Sequence, residues 1–263
     1  NIQNSGFIVL ASLAALAVQR LFGWTIPQVF LALAVANALV AIWIFTIVPE
    51  FLMRFLSWLL VRTLYRLRIQ GIEEHVPDEG PALLVCNHVS YMDALVLAAS
   101  TPRPVRFVMY HRIFDIPVLR WIFRTARAIP IAPEKEDPAL MQHAFDEIDR
   151  TLAEGGLVAI FPEGRLTADG EIAAFRRGVE RIVERAAGRG QAVPVVPMAL
   201  QNMWASMWSR RGARAGEGWL GRMRLPRRLR ARIGVVAGPP VAGADATAAS
   251  LEAAVRNLRG NNP

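Results

Sequence analysis

Cysteine and lysine are almost missing from this chain. Cys86 is its one cysteine and Lys135 its one lysine, among 263 residues. A single cysteine excludes a disulfide framework and cysteine-rich zinc or iron–sulfur centres. Charge is nearly missing from the first 48 residues, where Arg20 stands alone. The remaining 29 basic and all 22 acidic side chains fall in residues 49–263, which therefore carry +7 of the net +8. Disorder is excluded by composition, since 53% of residues are hydrophobic and only 20% charged. The mean hydropathy of +0.29 is high for a purely soluble enzyme. A basic body beside an apolar segment points to an anionic surface, lipid or nucleic acid. The first residue is Asn1 rather than Met, which suggests a fragment or a processed product.

The apolar excess is concentrated at the start. Residues 27–48 run for 22 residues without a charge. At about 1.5 Å per residue they are long enough to cross a hydrocarbon core of about 30 Å. Residues 6–24 form a second candidate span, with Arg20 placed to snorkel and Trp24 to anchor at the interface. Together they predict an N-terminal transmembrane helical hairpin over 1–48, turning near Gly23–Thr25. Arg54, Arg62, Arg66 and Arg68 follow, and the positive-inside rule puts the body on the cytoplasmic side. Residues 49–67 read as an amphipathic helix lying along the membrane surface, with Phe51, Leu52, Phe55, Leu56, Leu59 and Leu60 at helical spacing.

From Arg68 onward short apolar runs alternate with helical patterns. Strands are expected at 68–71, 82–86, 105–110, 128–131, 157–161, 193–199 and 231–236. Helices are expected at 91–99, 114–126, 138–154, 175–187 and 247–258. This alternation predicts an α/β fold with a mostly parallel central sheet flanked by helices. The 193–199 run, framed by Pro194 and Pro197, is expected at an edge or rim of the sheet. Ligands of such sheets sit beyond the carboxyl ends of the strands, and two motifs fall there.

The first is Asn87-His88-Val89-Ser90-Tyr91-Met92-Asp93, directly after the strand ALLVC. A turn over five residues can return the Asp93 carboxylate to the His88 ring. Such a pair forms a general base: the carboxylate holds the Nδ1 proton, and Nε2 accepts a proton from a hydroxyl. The plainer alternative is an N-capping Asp93 beside a structural histidine. The second motif, Phe161-Pro162-Glu163-Gly164-Arg165, follows the strand LVAI. Gly164 permits close backbone approach, and Arg165 offers a fork suited to phosphate oxygens. Glu163 is placed either to orient that arginine or to bind a substrate hydroxyl or amine.

In this order and spacing, with Val193-Pro194-Val195-Val196-Pro197-Met198 and Gly238-Pro239-Pro240 downstream, the chain resembles the glycerolipid acyltransferase family, which carries H-x-x-x-x-D and F-P-E-G. The resemblance covers roughly residues 68–240 and makes 68–263 the acyltransferase domain. Within the family, NHVSYMD and FPEGRLT look most like a bacterial 2-acylglycerophosphoethanolamine acyltransferase domain. The hairpin looks like the last two helices of a major-facilitator lysophospholipid transporter, which implies a fused transporter or ligase domain in a parent chain. The resemblance implies transfer of a fatty acyl group from acyl-CoA or acyl-carrier protein to the free hydroxyl of a lysophospholipid, at a bacterial inner membrane and on its cytoplasmic face. It makes His88 the general base, Asp93 its orienting partner, and Glu163, Gly164 and Arg165 the acceptor-phosphate site. It implies no metal and no cofactor beyond the thioester co-substrate. Family members carry another arginine in the segment that here reads Ile129-Pro130-Ile131-Ala132-Pro133, where none stands in register. Arg127 and Lys135 are the local substitutes.

Two rivals accompany this reading. One is a 1-acylglycerol-3-phosphate acyltransferase making phosphatidic acid. The other is a lipid transport or binding module with an inert acyltransferase fold. Several features are better read as plain structure: Cys86 as a buried strand residue, Ser90 as no nucleophile for want of a G-x-S-x-G elbow, and His111 with Asp115 as helix-surface polarity. Gly216–Gly221 matches G-x-G-x-x-G but follows an arginine-rich loop instead of a strand. That loop, 209–232, holds nine arginines with Trp219, Leu220, Met223 and Leu225 among them, and suits an anionic membrane surface better than nucleic acid.

Overall fold

The computed structural model describes residues 2–204, 206, 209 and 230–263. The Gly216–Gly221 match and nearly all of the arginine-rich segment lie outside those residues. The chain divides into two compact units, Asn1–Pro49 and Glu50–Pro263.

The first unit holds two helices, α1 (Ile2–Phe22) and α2 (Ile26–Ile47). Gly23 at φ +64° turns the chain between them, a conformation glycine adopts without steric cost. Thr25 starts α2, its backbone N–H donating to Gln28 Oε1 at 2.8 Å, and Pro27 sits in the first turn where no N–H is needed. Among the described residues, α2 is the helix long and apolar enough to cross a membrane. Within α1, Ala11–Leu21 is a shorter apolar helical stretch.

The second unit opens with α3 (Pro49–Leu64) and then β1 (Tyr65–Gln70). The expected helix over 49–67 therefore stops three residues early. Tyr65 and Leu67 turn toward the core while Arg66 and Arg68 face out, a period of two in place of the helical period. There follow α4 (Ile72–His75), β2 (Ala82–Cys86), α5 (Asp93–Ser100), β3 (Val105–Tyr110), a 3-10 turn (His111–Asp115), α6 (Pro117–Thr125) and β4 (Ile129–Ile131). The chain continues through α7 (Pro138–Ala153), β5 (Leu157–Ile160), α8 (Gly178–Ala187), β6 (Val195–Gln201), β7 (Ala231–Ala237) and α9 (Ala248–Arg259).

The seven strands form one sheet in the order β1-β7-β6-β2-β5-β3-β4. Every neighbouring pair is parallel except β6 with β7. One face is covered by apolar side chains of α3 and α5, including Val61, Val96 and Leu97. The other is covered by α7, α8 and α9, including Phe145, Ile182 and Leu251. Burial on both faces explains why β2, β5 and β6 read as continuous apolar runs.

One expectation is corrected. The proline-framed strand is not at a rim: β6 lies between β7 and β2. Its pairing with β7 runs from Met198 to Gln201, so Pro197 stands just outside that ladder. The Pro197 carbonyl accepts from Gly238 N at 2.8 Å, which shows that its missing N–H also points toward the β7 side, where no ladder bond is required.

Candidate active site

The central pair β2 and β5 positions the site. They run parallel with Val85 opposite Ile160, so residues three beyond each, His88 and Glu163, emerge level with one another. Asn87 is buried and replaces the ladder toward β6: its Oδ1 accepts from Leu200 N at 2.8 Å and its Nδ2 donates to Leu200 O at 3.2 Å. With Asn87 fixed, the chain leaves the sheet at His88.

Asp93 is the first residue of α5 and is fully buried. Three donors converge on its Oδ2: Val89 N at 2.6 Å, Ser90 N at 2.9 Å and His88 Nδ1 at 2.9 Å. A carboxylate at a helix N-terminus is favoured by the helix dipole. Because an ionised carboxylate only accepts, the proton in the third bond belongs to Nδ1, which leaves Nε2 as the basic nitrogen. Asp93 does not cap its helix, where Met92 is the cap residue; its Oδ2 instead shapes the turn ahead of α5 and holds the ring. The His88 side chain is 25% exposed, so the ring reaches solvent. Phe161 stacks on the ring at 4.3 Å between centroids and 18° between planes.

Glu163 does something the sequence did not reveal. It is 2% exposed, with Oε1 accepting from His88 N at 2.8 Å and Oε2 from Ala173 N at 2.8 Å. Burial pushes its carboxyl above the usual range, and the two backbone N–H groups pull it part of the way back. Both oxygens are occupied, so this carboxylate clamps the His88 backbone and is not presented to an acceptor. Thr167 N adds a second tie, donating to His88 O at 3.0 Å.

Gly164 and Arg165 do face outward. Gly164 has φ +66°, and a Cβ there would lie 2.8 Å from the Arg176 guanidinium. Arg176 is exposed, and its N–H donates to Pro162 O at 2.9 Å. The turn therefore presents two guanidinium groups, Arg165 and Arg176, where one was expected. The sequence signal for Arg176 was only its place in an Arg-Arg-Gly run just before α8.

The proposed substitutes for the absent arginine separate. Arg127 pairs with Glu50 at 2.6 Å, whereas Lys135 is exposed in the loop after β4. His111 binds Glu136 at 3.2 Å, in a cluster with Tyr110 and Arg112. Cys86 is fully buried and its thiol is pushed well up, first by burial, which keeps it protonated and unreactive.

A histidine hydrogen-bonded to a buried carboxylate and two outward arginines thus stand at the carboxyl ends of β2 and β5. The model of the family described as Acyltransferase matches residues 66–201, just over half the chain. The chain belongs to this acyltransferase family. Both site motifs and the strands β2–β6 fall within the matched residues. Chloroplastic 1-acyl-sn-glycerol-3-phosphate acyltransferase LPAT1 of Arabidopsis thaliana is 28% identical over 136 residues, which is 52% of this chain and 36% of that protein. Lyso-ornithine lipid O-acyltransferase of Rhizobium meliloti is 34% identical over 105 residues, 40% of this chain and 33% of that one. The match thus spans about a third of the length of these relatives. The crystal structure of the 1-acyl-sn-glycerophosphate acyltransferase PlsC from Thermotoga maritima superposes with a TM-score of 0.60 at 18% identity, covering 79% of this chain and 77% of that one. That likeness shows a shared fold.

Proposed function

We propose that this protein transfers a fatty acyl group from an acyl thioester, acyl-CoA or acyl-carrier protein, to the free hydroxyl of a lysophospholipid. The observation that carries this reading is the 2.9 Å bond between His88 Nδ1 and the buried Asp93 Oδ2. Nε2 accepts the proton of the acceptor hydroxyl as its oxygen attacks the thioester carbonyl. Asp93 stabilises the imidazolium that forms. As the tetrahedral adduct collapses, the C–S bond breaks and the thiolate takes that proton, so the base is regenerated and a free thiol leaves. A thioester is already activated, so positioning and one base carry most of the catalysis. The reaction calls on no metal or prosthetic group. Arg165 and Arg176 are the groups suited to the acceptor phosphate.

The relatives in hand act, by their names, on acylglycerol phosphate and on lyso-ornithine lipid. The acylglycerol-phosphate relative therefore favours a second acceptor reading, with phosphatidic acid as product. An assembled base favours an enzyme over an inert lipid-binding module. The length and apolarity of α2 support membrane attachment, with Arg54, Arg62, Arg66 and Arg68 supporting a cytoplasmic body facing anionic lipid. The deciding assay is thioester-dependent acylation of lysophosphatidylethanolamine and of lysophosphatidic acid, beside His88→Ala. Activity on one acceptor that disappears in the variant establishes the reaction and selects the substrate. Equal activity in the variant overturns the mechanism.

A further inference from the structure

Helix α6 is amphipathic in an unusual sense, because it turns large apolar side chains outward. Val118 is 69% and Trp121 63% exposed, one turn apart on the same side. Ile116 at the helix start is exposed as well. The inner side carries Phe123, whose ring meets Phe114 at 5.5 Å. Arginines line one side of the outward stripe: Arg120, held to Phe114 O at 2.7 Å, and Arg124, one turn further. An exposed tryptophan and valine beside a row of arginines is the pattern of a helix seated in a lipid headgroup layer.

The position of α6 supports the same occupant. The connections β2–α5–β3 and β3–α6–β4 both join parallel strands and both step toward the β4 edge. Right-handed crossovers therefore put α5 and α6 on one face of the sheet, the face that α3 also covers. The outer side of α3 is apolar too, with Phe51 and Phe55 each 50% exposed. The Glu50–Arg127 ion pair, at 2.6 Å, ties the residue just past α6 to the first turn of α3.

We infer that α6 is a second membrane-contact element, inserting Val118 and Trp121 among the headgroups and acyl-chain tops of an anionic bilayer while Arg120 and Arg124 meet lipid phosphates. The inference rests on the membrane-attached reading of α2. Its consequence concerns catalysis. The 3-10 turn before α6 leaves from Tyr110, at the carboxyl end of β3, the same end of the sheet from which His88 emerges. Seating α6 would hold that end against the bilayer, where a lysolipid acceptor resides.

The test uses the full chain reconstituted in vesicles of phosphatidylethanolamine and phosphatidylglycerol. Nitroxides are attached at Val118→Cys, at Trp121→Cys and, as a control on the opposite face, at Gln142→Cys of α7; Cys86 is buried and does not compete for label. The expected result is oxygen accessibility several-fold above that of the control at the two α6 sites, with protection from a water-soluble nickel chelate. Chelate accessibility equal to the control overturns the inference, and so does dipolar broadening between labels that marks a contact of two copies. A second arm measures initial rates for Val118→Asp with Trp121→Asp. A several-fold loss on a long-chain lysolipid in vesicles, with activity on a short-chain monomeric acceptor retained, supports it. Equal rates on both acceptors overturn it. Deep labels in a protein inactive on every acceptor would leave the membrane contact standing and remove the enzymatic reading.

Discussion

Two turns stand side by side at the carboxyl ends of β2 and β5, and each contains one buried acid. After β2, Asp93 gathers two backbone N–H groups and the His88 ring on a single oxygen. After β5, Glu163 spends both oxygens on backbone N–H groups, one belonging to His88 itself. The first acid acts on a side chain that reaches solvent. The second acts on the backbone that carries that side chain. Similar chemistry at similar depth therefore serves two purposes: Asp93 sets the direction of the imidazole through Nδ1, and Glu163 sets where the imidazole starts from. Breaking each bond separately should give unequal losses.

Removing the base comes first. His88→Ala should lower kcat by about 10²–10⁴-fold, the usual contribution of a general base. Its melting temperature should stay near that of the wild type, since the ring is partly exposed and its backbone remains clamped. Steady-state kinetics beside a thermal melt check both. Residual activity above a tenth of wild type would mean that another group takes the proton.

Asp93→Asn is the next largest. An amide oxygen in the place of Oδ2 can keep all three bonds, but it carries no negative charge to stabilise the imidazolium that forms. A loss of about 10²-fold in kcat with little change in acceptor KM is expected. A loss in KM alone would assign Asp93 to acceptor binding and remove the contrast with Glu163.

Arg165→Ala and Arg176→Ala test the outward side of the second turn. Each should raise acceptor KM roughly tenfold, as expected for loss of one charge-assisted hydrogen bond to phosphate. Their kcat values should change much less. If Arg176→Ala leaves KM unchanged, the Arg176 guanidinium serves only to cover Gly164.

How much of this was readable in the sequence differs between the two turns. The H-x-x-x-x-D spacing foretold the His88–Asp93 bond, because both partners lie within five residues and one local turn joins them. Glu163 was assigned to the acceptor because its real partners, His88 N and Ala173 N, are separated from it by 75 and 10 residues. The sheet register brings His88 to Glu163, and the loop after β5 folds back to bring Ala173. Register likewise hid Phe161 against His88 and Asn87 against Leu200, and the same loop hid Arg176 over Gly164. Strand positions were legible where both faces are buried and apolar runs are continuous, as in β2 and β5. They failed at β1, where Tyr65 continues an apparent helical pattern, and at β6, where Pro197 marks the end of a ladder and not the edge of the sheet.

The smallest effect sharpens the comparison most. Glu163→Gln leaves one acceptor oxygen for two N–H donors, so one buried backbone group loses its partner, at a cost of about 1–3 kcal/mol. For a unit of this size that lowers Tm by roughly 2–12 °C. In the proposed mechanism the proton transfer stays on His88 and Asp93, so kcat should fall less than tenfold. The pH dependence separates this effect from a simple packing defect. Burial raises the Glu163 carboxyl above its unfolded value. Between those two values the folded protein binds more protons than the unfolded chain, so stability declines as pH rises through that window. Glu163→Gln has no proton to lose there. Plotted against pH, the stability gap between wild type and variant should narrow as pH climbs from the ordinary glutamate range to the raised one, and stay constant above it. A gap independent of pH throughout would mean that Glu163 keeps an unshifted carboxyl, and the clamp would then owe nothing to its burial.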